Sequence, residues 1–419
     1  MRRFLAVPEW AWLALAFALR AGFALKVGGR MMQIDEHALN DAAWTLLNTG
    51  RLGDSHVLPV AASFFAIFFI PGHYPVLPRL AQGVVSTATA WALGRLTRES
   101  TGSENAGRLA LAVSAVYPFF VYYSAALMSE TLYVACLVAG VWQLWRGLAG
   151  DRLRNAAAAG FWLGLAALAR PEGAYIWAVI WLLGAFAVCS GRWPARSWAL
   201  AVACWALPLA LWCAHNKATL GRFALDSHGG VTLLHGSMFF ELNEQDTALA
   251  MAAMEKVPWY QEADRLPPFE RDDALRARAF TFMRQNPGVV LRQWAAKFVS
   301  FWRFYPRTDK TFIENQASNP GAGASRRLLA AASLAFEPWL ILLGCLGLAR
   351  LALRDGRFWP LPLFILGTMG IHMISVSQMR YRLPAMPWLI LGACWLISQS
   401  AAFRSLSRDA ESKPSGSKR

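Results

Sequence analysis

Ten apolar runs divide this 419-residue chain, at 10–27, 79–97, 107–123, 130–146, 155–169, 173–189, 198–213, 330–349, 358–376 and 383–400. A run of about 20 apolar residues matches the hydrocarbon thickness of a bilayer when coiled as an α-helix. Inside that medium only elements that satisfy their own backbone hydrogen bonds persist, and short apolar runs do so as helices. The pattern therefore predicts an all-α polytopic membrane protein, a bundle of about ten transmembrane helices. Composition agrees, with 56% hydrophobic and only 16% charged residues, where soluble domains carry about 25% charged.

A further apolar piece at 58–70 has Pro59 near its start and Pro71-Gly72 at its end. It is too short to cross and reads as an interfacial or re-entrant helix. Charge tests that reading, because cytoplasmic loops collect Lys and Arg. If 58–70 does not cross, one and the same face receives Arg2 and Arg3, then Arg95, Arg98 and Arg108, then Arg146, Arg152 and Arg154, then Arg192 and Arg196, then Arg350, Arg354 and Arg357. It also receives Arg404, Arg408, Lys413, Lys418 and Arg419 of a basic tail, 401–419, expected to be disordered. This predicts a multi-pass protein of the plasma (inner) membrane with both termini cytoplasmic and an uncleaved first span. The net charge of +15 is scattered in these short clusters, a membrane pattern that argues against a nucleic-acid partner.

The opposite, outer face receives the loop 28–78, in which juxtamembrane helices are expected, the turns 124–130, 170–172 and 378–382, and a long segment, 214–329, before the last three spans. That segment holds Pro258, Pro267, Pro268, Pro287, Pro306 and Pro320. Helices are expected at 271–284 and 289–304, broken at Asn286-Pro287-Gly288, the second with the apolar face of an interfacial helix or of a small outer core. The unit 1–400 is thus one membrane domain carrying two outer insertions.

Charge at the end of a span is expensive unless paired or used. Asp35 and Glu36 follow the first run directly. Glu130 opens the fourth run behind Ser129, either as a helix N-terminal acid or as a second acid facing Asp35. Arg170-Pro171-Glu172 reads as a self-contained ion pair that supports the site. In Arg380-Tyr381-Arg382 two arginine forks flank a tyrosine, a geometry suited to phosphate oxygens, with snorkelling to lipid headgroups as the alternative. His215, His228 and His235 fit no compact metal-ligand spacing, and the six cysteines read as small apolar residues, so no metal or cofactor is expected.

Taken in order, Asp35-Glu36, Tyr123-Ser124 ahead of Glu130-Thr131-Leu132, Leu168-Ala169-Arg170-Pro171-Glu172, the stretch Gly229-Gly230-Val231-Thr232-Leu233-Leu234-His235-Gly236-Ser237, Asn286-Pro287-Gly288 and Arg380-Tyr381-Arg382-Leu383-Pro384 run through most of 10–400. In this the chain resembles the GT-C superfamily, and within it the phospholipid-carrier-dependent glycosyltransferases, the group of protein O-mannosyltransferases and the lipid A aminoarabinose transferase. The resemblance implies a sugar donor on a polyprenyl phosphate, an outer active site, and an acceptor that is a glycan, lipid or protein. By matching position, Asp35 resembles the base, Glu36 its neighbour or substitute, Glu130 the acid of the second outer loop, and Arg380 or Arg382 the holder of the carrier phosphate. Arginine neutralises the leaving phosphate while a carboxylate on the other face of the sugar activates the acceptor hydroxyl, giving inversion. A transporter or lipid flippase, and an oligosaccharide polymerase or ligase, are the competing readings. The chain is shorter than the aminoarabinose enzyme, with fewer spans.

Overall fold

The computed structural model describes residues 7–33, 35–52, 57–148, 152–238, 254–304 and 322–400. The basic tail and parts of the long outer segment lie outside them. The first helices are α1 (Glu9–Val27), α2 (Asp35–Thr49), α3 (Pro59–Phe68), α4 (Val76–Thr101), α5 (Glu104–Val116), α6 (Pro118–Ala125) and α7 (Glu130–Leu148). They are followed by α8 (Leu153–Ala169), α9 (Glu172–Cys189), α10 (Ala195–Leu220), α11 (Gly229–Met238), α12 (Pro258–Asp264), α13 (Pro268–Gln285), α14 (Pro287–Phe301), α15 (Ala322–Arg354), α16 (Pro360–Ile374) and α17 (Met386–Ser398). A 3₁₀ turn, Met379–Ala385, joins the last two. The described residues contain no strand.

Every expected apolar run forms a helix, and local chemistry sets the ends. Proline opens α3, α6, α13, α14 and α16 within the first two positions, where its missing N–H removes no helical bond. Gly102 closes α4 in the left-handed region, at φ 67°. Pro118 divides the third run into α5 and α6, bent by 50°. The bend frees the carbonyls of Ser114 and Ala115, and buried Arg20 of α1 donates to them at 3.0 and 2.8 Å, as well as to Ser86 Oγ at 2.8 Å and to Ala16 O at 3.0 Å.

By length and hydropathy α1, α9, α10 and residues 331–354 of α15 are each able to cross a membrane, and α5 with α6 makes a fifth crossing when taken as one broken span. The other expected spans, α4, α7, α8, α16 and α17, are helices too short or too polar to pass that test alone. Their burial explains it: α17 is enclosed almost throughout from Met386 to Trp395, so its neighbours rather than lipid decide its composition. On the outside of the bundle α9 exposes Leu182 and Phe186, each 73% accessible, and α10 exposes Leu211 at 63%. Apolar rings and aliphatic chains presented outward in such number belong in lipid. The chain is a membrane protein.

The piece at 58–70 forms α3, only 10 residues and so about 15 Å long, half the hydrocarbon thickness of about 30 Å. It packs Ala61, Phe65, Ala66 and Phe69 against Ala43 of α2 and Leu127 and Leu132 beside α7. The outer segment builds its own core from Val231, Leu234, Met254, Tyr260, Ala263, Leu275 and Ala279. Its α14 docks back on the bundle: Ser300 Oγ donates to Ser377 O at 3.3 Å and Ser377 Oγ to Lys297 O at 2.9 Å. The other face of α14, with Leu291, Phe298 and Val299, stays exposed.

Candidate functional site

The starts of α2, α4, α7 and α9 and the 3₁₀ turn Met379–Ala385 meet at one end of the bundle. Glu36 anchors this end. One carboxylate oxygen accepts the backbone N–H of Met32 and Gln33 at 3.0 and 3.1 Å, and the other accepts Arg79 Nη2 at 2.9 Å. Both side chains are fully enclosed. Arg79 also donates to the carbonyls of Arg30, at 2.7 Å, and Ala125, tying the first outer loop to the turn before α7. Burial pushes the Glu36 carboxyl up, and the charge of Arg79 with the backbone donors offsets part of that shift.

Asp35, one residue earlier on α2, points the other way and is 46% exposed. Arg380 Nη1 donates to its Oδ2 at 2.6 Å across 345 residues of sequence. Arg380 Nη2 donates to the Tyr381 hydroxyl at 3.0 Å, and Gln33 Oε1 lies 3.4 Å from Nη1. Burial alone would lower the Arg380 pKa, but Tyr381, Asp35, Glu130 and Tyr123 around it raise it well above its ordinary value. The guanidinium is therefore a permanent cation beside an accessible carboxylate.

Behind this pair sits a second, enclosed set. Glu130 opens α7 at 1% exposure and accepts Arg170 Nη1 at 2.8 Å through Oε1, while its Oε2 has no partner among the described residues. Arg170 also donates to Glu172 Oε1 at 2.5 Å, and its guanidinium carbon lies 5.3 Å from the centre of the Tyr381 ring. His372 of α16 stacks on that ring at 4.1 Å and 8°.

Arg382 turns inward. It donates to the carbonyls of Phe301 and Arg303 at 2.7 and 2.9 Å and to Glu337 Oε2 at 2.5 Å. Tyr117 donates its hydroxyl to the other Glu337 oxygen. This fully buried triad joins α14, α15 and the helix break at Pro118, and it turns the Arg382 guanidinium into the interior, away from Asp35.

Of the residues singled out in the sequence, Asp35, Arg380, Tyr381, Glu130, Arg170 and Glu172 thus come together, whereas Glu36 and Arg382 are absorbed by buried partners. Sequence reading missed Arg79, Glu337 and His372. Glu337 carried a usable signal, a lone carboxylate inside an apolar run. His215, His228 and His235 form no cluster; His215 stacks on Trp212. Among the described residues no group of three or more His, Cys, Asp and Glu side chains converges as metal ligands do.

Residues 55–214 match the family model described as dolichyl-phosphate-mannose-protein mannosyltransferase. Two structures of an oligosaccharyltransferase from Archaeoglobus fulgidus share the fold. One is AglB in complex with an inhibitory peptide and a dolichol-phosphate, with TM-score 0.54, 13% identity, and 98% of this chain and 52% of that chain covered. The other is the apo form, with TM-score 0.54, 14% identity, and 98% and 53% covered. The resemblance to the GT-C superfamily is borne out. ArnT from Cupriavidus metallidurans, bound to undecaprenyl phosphate, aligns at TM-score 0.38 and 13% identity over 93% of this chain and 77% of that one. The chain spans about half the length of the archaeal structures, and no curated protein matches it.

Proposed function

We propose that this protein is an inverting membrane glycosyltransferase that moves a sugar from a polyprenyl-phosphate carrier to an acceptor hydroxyl at the outer face of the plasma (inner) membrane. The observation that carries the reading is the Asp35–Arg380 pair, an accessible carboxylate and a mostly enclosed guanidinium brought together from opposite ends of the chain. An arginine fork matches a phosphate oxygen pair better than it matches one carboxylate oxygen. When the donor enters, its phosphate takes the Arg380 guanidinium and releases Asp35. Arrival of the leaving group thus frees the base.

The transfer then balances simply. The acceptor oxygen forms a bond to the anomeric carbon and its proton passes to Asp35. The bond from that carbon to the carrier phosphate breaks, and the phosphate leaves with the electron pair, its charge held by Arg380. Inversion requires the base and the phosphate on opposite faces of the sugar, which the opened pair allows. Glu36 takes no part, since both of its oxygens are occupied by buried donors. Glu130, enclosed but with Oε2 free, is placed to accept a hydroxyl of the donor sugar, and Arg170 with Glu172 holds it there. The proposed topology, ten crossings with both termini cytoplasmic, follows from the one-sided basic loops and has the site on the outer side. A flippase would set its charges near the midplane, and here they sit at helix starts.

Mass spectrometry of lipids, glycans and surface proteins from cells with and without the protein names sugar and acceptor together through the missing mass. A folded, membrane-inserted Asp35→Ala protein that still transfers sugar would sink the proposal.

A further inference from the structure

We infer that His372 is a positioning residue for the carrier-phosphate site, acting on Arg380 through Tyr381. This rests on the assignment of Arg380 to the carrier phosphate.

Arg380 comes from a 3₁₀ turn, Met379–Ala385, rather than from a regular helix. Its side chain needs an external guide to keep one orientation. That guide is the Tyr381 hydroxyl, 3.0 Å from Nη2, while Nη1 faces Asp35. A tyrosine hydroxyl is only as well placed as its ring. The Tyr381 ring lies flat on the His372 imidazole, 4.1 Å between centroids and 8° between planes. The imidazole is fixed in turn by a bond between Nδ1 and Val376 O at 3.0 Å. Nδ1 donates in that bond, because a carbonyl only accepts. Nε2 is buried and without a hydrogen-bond partner among the described residues, 4.0 Å from Glu172 Oε1. Toward Tyr381 the ring presents its flat face, and that stacking is what the position supplies to the site. Arg170 closes the ring from its own side at 5.3 Å.

The chain of contacts runs from Val376 through His372 and Tyr381 to Arg380. Each link is short, and the last one presents the two forward nitrogens of the guanidinium. Loss of the stack lets the Tyr381 ring rotate and Arg380 lose its preferred orientation, so carrier binding weakens although His372 touches no carrier atom.

The test is the Kd of a radiolabelled short-chain polyprenyl phosphate for full-length protein in detergent, with the thermal midpoint recorded for each variant. Arg380→Ala abolishes measurable binding. His372→Leu, which fills the space without a flat ring, weakens binding about ten-fold, and His372→Phe, which restores the ring, returns it to within about two-fold of the parent. Equal binding by His372→Leu and the parent overturns the inference, as does His372→Phe binding as weakly as His372→Leu. Unchanged binding in Arg380→Ala is a different failure. It removes Arg380 from the phosphate and with it the functional reading beneath this one.

Discussion

The two ends of the helix bundle carry the same charged residue types and use them in opposite ways. At the end away from the site, Glu99 pairs with Arg146 at 2.7 Å, Glu104 with Arg98 and Arg108 at 3.0 and 3.3 Å, and Asp355 with Arg357 at 2.7 Å. These side chains are 25 to 47% exposed. At the site end Glu36–Arg79 and Arg382–Glu337 are sealed. Asp35 is exposed there while its partner Arg380 is mostly covered. Solvent screens the far pairs to small free energies, whereas an enclosed charge must be matched or is very costly. The difference separates screened surface pairs, buried locks and the accessible pair to which the proposed chemistry is assigned, among groups that look alike in sequence.

The sharpest way to break this comparison is to neutralise one acid at each end. Asp35→Asn lowers sugar transfer by about 10²- to 10⁴-fold, the usual contribution of a positioned base, with the thermal midpoint unchanged. Asp355→Asn leaves transfer at the parent rate. Equal losses in the two variants would remove any special role for the site end.

Stability sharpens the same contrast. Arg79→Met leaves the Glu36 charge buried and unmatched and lowers unfolding free energy by about 3–5 kcal/mol. Arg98→Met, at the far end, changes it by less than about 1 kcal/mol. Denaturation of both variants in the same detergent measures the gap. Between these limits lies Arg20→Leu, which orphans the Ser114 and Ala115 carbonyls at the Pro118 bend and lowers stability by about 1–3 kcal/mol.

A pH slope tests the enclosed cation of α14. Burial lowers the Lys297 ammonium from 10.5 to about 7. Between those values the unfolded chain binds more protons than the folded one, so stability rises as pH rises from about 7 towards 10.5 and is lowest below that window. Lys297→Met flattens the slope, as thermal midpoints across the window will show.

Helix positions were legible because apolar runs report directly on burial in lipid or protein, and every expected run is helical, most within about four residues of the predicted ends, with α10 running seven residues further at its end and α15 beginning eight residues earlier. The break at Pro118 was not anticipated, since an apolar run reads as continuous across a proline when its freed carbonyls find a donor elsewhere, here Arg20. Asp35, Glu130 and the Arg380-Tyr381-Arg382 triplet stood out as charges at span ends. Their division of labour did not. Asp35 and Glu36 are adjacent, and so nearly are Arg380 and Arg382, yet a helix turns neighbours through about 100° and a 3₁₀ turn separates alternate residues similarly, so one of each pair faces the cleft and the other the interior.

What the sequence by itself determined is the class of the molecule, a helical membrane protein, and which acids and arginines stand at the ends of its apolar runs, all read from composition and spacing along one dimension. Only the tertiary structure decided which charges are enclosed and which meet. Asp35 and Arg380 lie 345 residues apart, and their contact depends on packing among α2, α4 and the turn before α17. Whether a carboxylate locks a loop or faces an incoming substrate is set by what covers it, and cover is a property of the fold.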